Sequence, residues 1–365
     1  MRTISLLTAL LCCAPITYAH SFDTDYALSF GGFYGYTDYK HQKNSSYKNN
    51  NLNSTLNAYG KISHKFNDGY EASLVGYFMI DSAKDIENYN QGIWGEEVFA
   101  EITTPKGQIT LGQDYNVAYN FSVGAPNVGS YRINNSDIVN FIHNPNWYAK
   151  DGKTSYKTLN STYINTDGAS IKANYITPSF FGVKLGATFI PKVHSRSSLV
   201  SNDALYDNKS AYVLGAFGEW FLSGYEISTS LGYADFDKNT KEYSAGMNVY
   251  RKGWTFGASY RKTKAQKDDY VINNTTMFDA YRDASAYNLG IRYEIGPFST
   301  GLSYFDSKSD KFDYNNKIIS FTNAYQINKN TTLSLSIAKL KASAESENTK
   351  GYAGIIGLEI ELWKK

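Results

Sequence analysis

The sequence predicts an all-β fold, a transmembrane antiparallel β-barrel of about 16 strands. Two observations lead to this prediction. The chain divides into segments of roughly ten alternating residues, the length of a tilted strand that crosses a bilayer. The last segment is aliphatic on one face, with Ile356, Leu358, Ile360 and Leu362. Its other face carries Gly357, Glu359 and Glu361. Such a strand separates two different solvents, which in a barrel are lipid and a wet lumen.

The N-terminus predicts export. Arg2 precedes a short apolar stretch, residues 4–16, and Thr17-Tyr18-Ala19 offers small residues for cleavage before His20. We therefore expect a signal peptide at residues 1–19 and a barrel domain at residues 20–365. The only 2 cysteines, Cys12 and Cys13, lie inside the signal. An exported chain without disulfides indicates a bacterial envelope.

Composition excludes several other classes. The net charge of +2 and the absence of a basic cluster give no indication of nucleic-acid binding. No run of 18 apolar residues follows the signal, so helical membrane spans are excluded. Aromatic residues make up 16% of the chain, with 32 Tyr, and several stand at the ends of the alternating segments. This placement favours aromatic girdles at the two membrane interfaces.

Sixteen alternating segments can be located in order. Their approximate centres are residues 31, 60, 74, 100, 110, 173, 185, 215, 230, 246, 257, 290, 302, 321, 335 and 358. The segment near residues 318–325 alternates poorly, so its faces are left unassigned. Short and long connections follow each other in turn, which is how an outer-membrane barrel is threaded. The expected long connections are residues 40–53, 81–95, 114–161, 190–208, 262–283, 306–315 and 341–350.

No catalytic site is predicted. The chain has 5 histidines, and none stands at a metal-binding spacing from another. The stretch Asp235-x-Asp237-x-Asn239 begins like a calcium loop, but Thr240 replaces the glycine that such a loop needs. We expect neither an enzyme nor a cofactor.

Two segments resemble general Gram-negative porins of the alphaproteobacterial type. The first runs from Tyr163 through the turn Tyr175-Ile176-Thr177-Pro178-Ser179-Phe180 to Ala187, and the second from Phe99 to Gln113. The chain departs from the family at Gln113, where porins usually carry Arg, and at its end. It closes with Trp363-Lys364-Lys365 rather than with Phe.

The resemblance implies a bacterial outer-membrane channel whose long third loop folds inward. A barrel of 16 strands is itself too wide for wall side chains to fill. The third loop would be residues 114–161, and the constriction candidates in it are Asp114, Arg132 and Asp137. The resemblance also implies a homotrimer, with the first strands and residues 81–95 near the contact. The barrel assembly machinery would read a terminal signal at Gly357, Ile360 and Leu362.

Alternation predicts which charges face the lumen. The basic candidates are Lys61, Lys172, Lys184, Arg261 and Arg292. The acidic candidates are Glu71, Glu97, Glu101, Glu219, Glu226, Glu294, Glu359 and Glu361. Charge is costly on a lipid-facing surface, so these side chains should face water or lie near strand ends. The excess of acids predicts a weak preference for cations.

The leading functional interpretation is passive diffusion of ions and small hydrophilic solutes. One alternative is a substrate-specific channel for sugars or phosphate-containing solutes, which would need an aromatic track or a cluster of Arg and Lys at the constriction. For such a track the third loop carries Tyr115, Tyr119, Phe121, Tyr131 and Trp147. A second is a surface adhesin or structural barrel that conducts little. A third is an exported soluble β-protein, against which the alternation of loop lengths argues. Membrane lipid and small solutes are the expected partners.

Overall fold

The computed structural model describes residues 22–40, 50–66, 69–81, 92–129, 159, 161–168, 170–193, 210–236, 240–265, 269–272, 275–278, 283–310, 314–344 and 347–364. Sixteen strands close into an antiparallel barrel, and two more form a separate hairpin. The barrel strands are β1 (Asp23–Lys40), β2 (Asn50–Lys65), β3 (Glu71–Asp81), β4 (Gly92–Thr104), β5 (Gly107–Gln113), β6 (Ile171–Ile176), β7 (Val183–Ile190), β8 (Ala211–Leu222), β9 (Tyr225–Phe236), β10 (Thr240–Arg251), β11 (Trp254–Ala265), β14 (Ala284–Ile295), β15 (Phe298–Ser309), β16 (Tyr314–Asn328), β17 (Thr331–Ala344) and β18 (Glu347–Lys364). The hairpin strands are β12 (Asp269–Ile272) and β13 (Thr275–Phe278). A four-residue helix, α1 (Val117–Asn120), follows β5. No helix among the described residues has the length and apolar character to cross a membrane.

Each barrel strand pairs with its neighbours in the chain, except that β11 pairs with β14 past the hairpin. The barrel closes where β1 meets β18, with Leu28 opposite Leu362 and Phe30 opposite Ile360. All sixteen predicted centres fall inside barrel strands, so the predicted fold class and strand count are confirmed.

The two faces of the wall follow the predicted alternation. On β18, Ile356, Leu358 and Leu362 are exposed on the outer face, whereas Ile355 is buried on the inner face. The unassigned strand β16 points Ile319 and Phe321 outward and Ile318 inward. Ile318 is 1% exposed because it packs into an apolar cluster inside the barrel. That inward isoleucine is why the sequence alternates poorly there.

Tight turns join the strands at one end. Ser223-Gly224 and Lys252-Gly253 each have two consecutive residues with positive φ, 51° and 82° in the first and 47° and 84° in the second. This is the type I′ turn, whose twist suits a two-residue hairpin and in which glycine tolerates the left-handed conformation. Both termini of the barrel, in β1 and β18, lie at this end.

Two of the connections predicted to be long are short. Strand β15 extends to Ser309 and β16 begins at Tyr314; β17 extends to Ala344 and β18 begins at Glu347. These strands continue their ladder beyond the length that a bilayer requires, because each strand still finds backbone partners on both sides. The prediction of loops at residues 306–315 and 341–350 was therefore wrong. The hydropathy pattern indicates where the lipid-facing part of a strand ends, whereas backbone hydrogen bonds to the neighbouring strands determine where the strand itself ends.

Aromatic pairs mark two levels on the outer face. Trp254–Tyr293 and Phe298–Tyr325 lie near the tight turns, with ring centroids 4.5 and 4.7 Å apart. Phe189–Tyr212, Tyr233–Tyr243 and Tyr287–Tyr304 lie near the opposite ends of their strands, with centroids 5.3, 5.4 and 5.9 Å apart. Their placement agrees with girdles at both membrane interfaces.

Candidate pore constriction

The segment that follows β5 lies against the inner wall. Its helix α1 begins at Asn116, whose side chain accepts a hydrogen bond from the Tyr119 backbone at 2.9 Å. Beyond Asn116, inward-facing side chains of the barrel wall accept hydrogen bonds from backbone N–H groups of this segment. Val117 donates to Thr188 of β7 at 2.9 Å, Val123 to Ser230 of β9 at 2.9 Å, and Ala125 to Asn288 of β14 at 3.1 Å. The segment therefore crosses successive strands instead of leaving the barrel.

Glycines make this close approach possible. One inward glycine on each of seven strands forms what we call the glycine track: Gly186, Gly215, Gly232, Gly246, Gly257, Gly290 and Gly301. A Cβ at Gly186 would lie 2.8 Å from Val117, and one at Gly301 would lie 2.8 Å from Val128. At Gly246 a Cβ would overlap the carbonyl oxygen of Val123. Residues 117–129 thus run along a groove that side chains would close.

The returning limb, residues 161–168, is held by two buried ion pairs. The Lys172 ammonium lies 2.5 Å from Asp167 Oδ2, and neither side chain is exposed. The Arg261 guanidinium lies 2.6 Å from Glu242 Oε2 and also donates to Asn165 Oδ1 at 2.9 Å and to Thr166 Oγ1 at 2.8 Å. Breaking such a pair leaves a buried charge without a partner, so these contacts tie the limb firmly to β6, β10 and β11.

Asn116 joins the outgoing and returning limbs. Its amide donates to the Ile164 carbonyl at 2.9 Å and to Asp167 Oδ1 at 2.6 Å. Because Asp167 also binds Lys172, one buried network connects helix α1, the returning limb and strand β6. The two limbs therefore hold each other in place.

At two places the inner face of the wall is apolar and buried, whereas the alternation predicts that it faces a wet lumen. One apolar cluster consists of Ala118, Ile164, Ile190, Val193, Ala211, Val213, Ala234 and Phe236. The other consists of Phe33, Leu159, Ala284, Ala286, Phe305, Ile318, Ala338, Leu340, Ala353 and Ile355. Each cluster includes residues of the third loop, so burial of apolar area fastens the loop to the wall at both sites.

Three predicted site residues are structural. Lys172 and Arg261 face inward as predicted, but their buried ion pairs remove them from the open lumen. Asp114 is 3% exposed and accepts hydrogen bonds from Thr110 at 2.9 Å and from Asn174 at 2.7 Å. Burial raises the pKa of the Asp114 carboxyl, and these hydrogen bonds oppose that rise. It anchors the start of the loop.

Three of the other wall candidates line open space. A cavity of ≈ 400 Å³ has Glu97, Glu101 and Lys184 in its lining. The Lys61 ammonium lies 3.1 Å from Glu101 and 3.2 Å from Glu71, and the Arg292 guanidinium lies 3.1 Å from Glu294. These pairs are partly exposed, so their charges remain accessible to ions.

Two loop candidates, Arg132 and Asp137, lie outside the described residues. That the complete third loop narrows the channel stays a prediction.

The proposed assembly residues occupy both faces of β18. Gly357 faces inward, where a Cβ would lie 2.5 Å from the Phe33 ring, and Leu362 is 53% exposed toward the outside. Ile360 is also exposed outward, opposite Phe30. Their reading by assembly machinery remains a prediction.

The glycine track was not predicted, although its signal is visible in the sequence. Each of the seven glycines occupies an inward position of an alternating segment, and Gly186, Gly215 and Gly232 stand directly opposite one another on β7, β8 and β9. Among the described residues no group of three metal-ligating side chains occurs.

Comparisons with known proteins agree with this architecture. A model of Gram-negative porins matches residues 7–345. OmpF of Salmonella typhi, solved with daunomycin, superposes with a TM-score of 0.61 at 14% identity, over 94% of this chain and 98% of its own. The trimer form of OmpT from Vibrio cholerae gives a TM-score of 0.60 at 9% identity, over 94% and 100%. An anion-selective porin from Comamonas acidovorans gives 0.57 at 14% identity, over 94% and 99%.

The comparison with curated proteins returns no match. The family model nevertheless covers most of the chain, and the closed barrel is the one that porin structures share. The chain belongs to the Gram-negative porin family and is a channel protein of the bacterial outer membrane.

Proposed function

We propose that this porin lets ions and small hydrophilic solutes diffuse passively across the outer membrane. The observation that carries the proposal is the position of residues 117–129, which lie against the glycine track and leave open the side lined by Glu97, Glu101 and Lys184. Polar groups on that side, including Gln108 and Asn120, suit hydrated solutes.

The same geometry supports a preference for cations. Lys172 and Arg261 are neutralised in buried pairs, whereas Glu219 and Glu361 are exposed near the tight-turn end. The experiment is conductance of the purified, folded protein in a planar bilayer under a salt gradient. A reversal potential of the cation-selective sign is expected. The anion-selective sign would contradict the preference, and absence of conductance would contradict the channel and favour an adhesin or structural barrel.

One observation favours a second candidate, a channel specific for sugars. The rings of Tyr115 and Tyr119 stack with centroids 4.2 Å apart, and Tyr163 meets Tyr119 edge-on at 6.0 Å. Aromatic faces can bind the apolar face of a sugar ring. Saturable conductance that is blocked by millimolar maltose or sucrose would favour this candidate, and unblocked linear conductance would favour diffusion.

Three further expectations belong to the proposal. The trimer form of the V. cholerae structure supports a homotrimer here, with the first strands and residues 81–95 near the contact. Crosslinking of unheated, detergent-purified protein should yield three subunits.

N-terminal sequencing of the outer-membrane form should begin at His20 if residues 1–19 are removed. Pull-down with the barrel assembly machinery should weaken when Gly357, Ile360 and Leu362 are replaced.

A further inference from the structure

Three aromatic residues stand in one row on the lumen face of the barrel. Trp363 of β18 stands directly opposite Ala27 of β1. Ala27 stands opposite Tyr59 of β2, which in turn stands opposite Tyr77 of β3. Ala27 belongs to the inner face, because both of its neighbours in the chain are exposed on the outer face. Residues directly opposite each other share a face of the sheet, so the three aromatic side chains belong to the lumen face as well.

The aromatic row borders a recess in the inner wall. Ala27 is a small side chain between larger ones, and it is only 8% exposed although it lies on the lumen face. A cavity of ≈ 460 Å³ lies here, and its lining includes Trp363, Tyr59 and Tyr77. We call this cavity the mouth recess. Its volume is in the range that accommodates a small organic molecule.

The mouth recess lies at the tight-turn end of the lumen. The backbone N–H of Glu361, which also lines the recess, donates to the carbonyl of Asn330 at 2.8 Å. Asn330 lies in the short turn between β16 and β17. In outer-membrane barrels the end with the short turns faces the periplasm. A solute can therefore reach the recess from the periplasm without passing the third loop.

Two carboxylates lie on opposite sides of the aromatic row. Asp25 occupies the next inward position of β1 toward the tight turns, and Glu361 occupies the next inward position of β18 away from them. Both residues line the mouth recess. Glu361 Oε2 accepts a hydrogen bond from Trp363 Nε1 at 3.1 Å, which holds the carboxylate beside the indole ring. Negative charge thus flanks the rings on both sides.

The nearest basic residue of the wall is engaged elsewhere. Lys61 stands directly opposite Asp25, yet its ammonium group lies 3.2 Å from Glu71 and 3.1 Å from Glu101. Within the described part of the chain, neither Asp25 nor Glu361 forms an ion pair. The mouth recess therefore keeps a negative charge that a bound cation would balance.

Aromatic rings and carboxylates together favour one class of ligand. Rings attract a cation through their quadrupoles, and aromatic sites are the usual binders of quaternary ammonium groups. A primary ammonium group instead needs oxygen acceptors for its N–H donors. A neutral sugar can also pack on aromatic rings, but it leaves the two carboxylates without a counter-charge. The combination of groups therefore suits a cation that carries methyl groups.

We propose that the mouth recess binds small quaternary ammonium compounds from the periplasmic side. The cationic group lies among the three aromatic side chains, and the two carboxylates supply the counter-charge. Ser29 and Asn57 also line the recess and are joined by a hydrogen bond of 3.0 Å, so they offer polar atoms to a hydroxyl group on the ligand. The inference uses the barrel and its orientation in the membrane, and it does not depend on which solutes pass through the lumen.

The test is isothermal titration calorimetry of choline into folded, detergent-purified protein. Choline should bind. Its uncharged analogue, with carbon in place of nitrogen, should bind roughly 10-fold more weakly, because it offers no charge to the rings and carboxylates. Ethanolamine, which keeps the charge but lacks the methyl groups, should also bind more weakly than choline.

Variants separate the contributions of the carboxylates and the rings. D25N/E361Q should lower the affinity for choline by roughly 10-fold, because it removes both counter-charges. W363L should lower it by roughly 5-fold, because one ring is lost. If W363L does not fold, Y59L should show the same loss. The matched control is E219Q/E226Q, which removes two carboxylates from the tight-turn end of β8 and β9 on the opposite wall and should retain wild-type affinity.

Several results would overturn the proposal. Equal affinities for choline and its uncharged analogue would identify a purely apolar recess, and equal affinities for choline and ethanolamine would show that the rings contribute nothing. An equal loss in the control would identify a general effect of lumenal charge. Binding of sucrose but not of choline would identify a carbohydrate site.

Calorimetry also separates this proposal from the proposed channel function. Choline binding without conductance would contradict the channel and leave the mouth recess in place. Conductance without choline binding would contradict the mouth recess alone.

Discussion

Two arcs of the barrel carry different residues on their inner faces. From β7 to β15 the wall presents the glycine track together with the acceptors Thr188, Ser230 and Asn288, and the third loop covers it. From β2 to β5 the wall presents Lys61, Glu97 and Glu101, and the space in front of it is open. An inward charge is therefore a poor indicator of the open lumen by itself. Small residues on neighbouring strands identify the arc that is covered.

The largest expected effect comes from breaking a buried pair in the covered arc. Arg261→Ala leaves Glu242 buried without its partner and should lower the free energy of unfolding by about 3–5 kcal/mol. Urea unfolding in lipid vesicles measures this. Lys61→Ala is the control in the open arc, because its pairs with Glu71 and Glu101 are partly exposed and should each contribute at most about 1 kcal/mol. Equal losses in the two variants would show that burial does not distinguish the arcs.

A smaller effect is expected from the glycine track. Gly246→Ala places a methyl group against the Val123 carbonyl and should cost about 1–3 kcal/mol, as overpacking does. The displaced segment can move only toward the open arc, so single-channel conductance should also fall. Gly354→Ala, where nothing lies within 4 Å of the added methyl, should change neither quantity. Wild-type conductance in G246A would contradict the assignment of the track.

In the open arc we expect the smallest effect on stability, together with a change in ion selectivity. Glu97→Gln with Glu101→Gln removes two lumenal carboxylates and releases Lys61 from one of its partners. The reversal potential in a salt gradient should move toward anion selectivity. Asp306→Asn removes a carboxylate from the outer face and should leave that potential unchanged. A shift of the same size in both variants would mean that these glutamates do not line the ion path.

Alternation predicted the barrel because successive side chains of a strand point to opposite faces, one toward lipid and one toward water, and this pattern can be read locally from residues such as Ile356 and Leu358. The prediction failed where the inner face is buried instead of meeting water. Ile318 and Leu340 face inward yet are apolar, because they are buried in an apolar cluster of wall residues that also contains Leu159 of the loop. Lys172 and Arg261 face inward yet are neutralised, because their partners come from the loop or from a neighbouring strand. Asp167 lies only 5 residues from Lys172, but Arg261 is also covered by Asn165 and Thr166, which lie 96 and 95 residues away in the chain. No local pattern reports such distant contacts.

The course of the third loop also bears on the order of assembly. The Pro126 carbonyl accepts a hydrogen bond from Ser303, which lies 177 residues further along the chain, and Gly129 rests against Ser334 of β17. The loop therefore cannot settle until almost every strand has been threaded, because its resting place does not exist earlier. We therefore expect a newly closed barrel to pass through a short-lived stage in which its channel is wider. The outer membrane would be most permeable while each new barrel is being inserted, just before the last of these contacts forms.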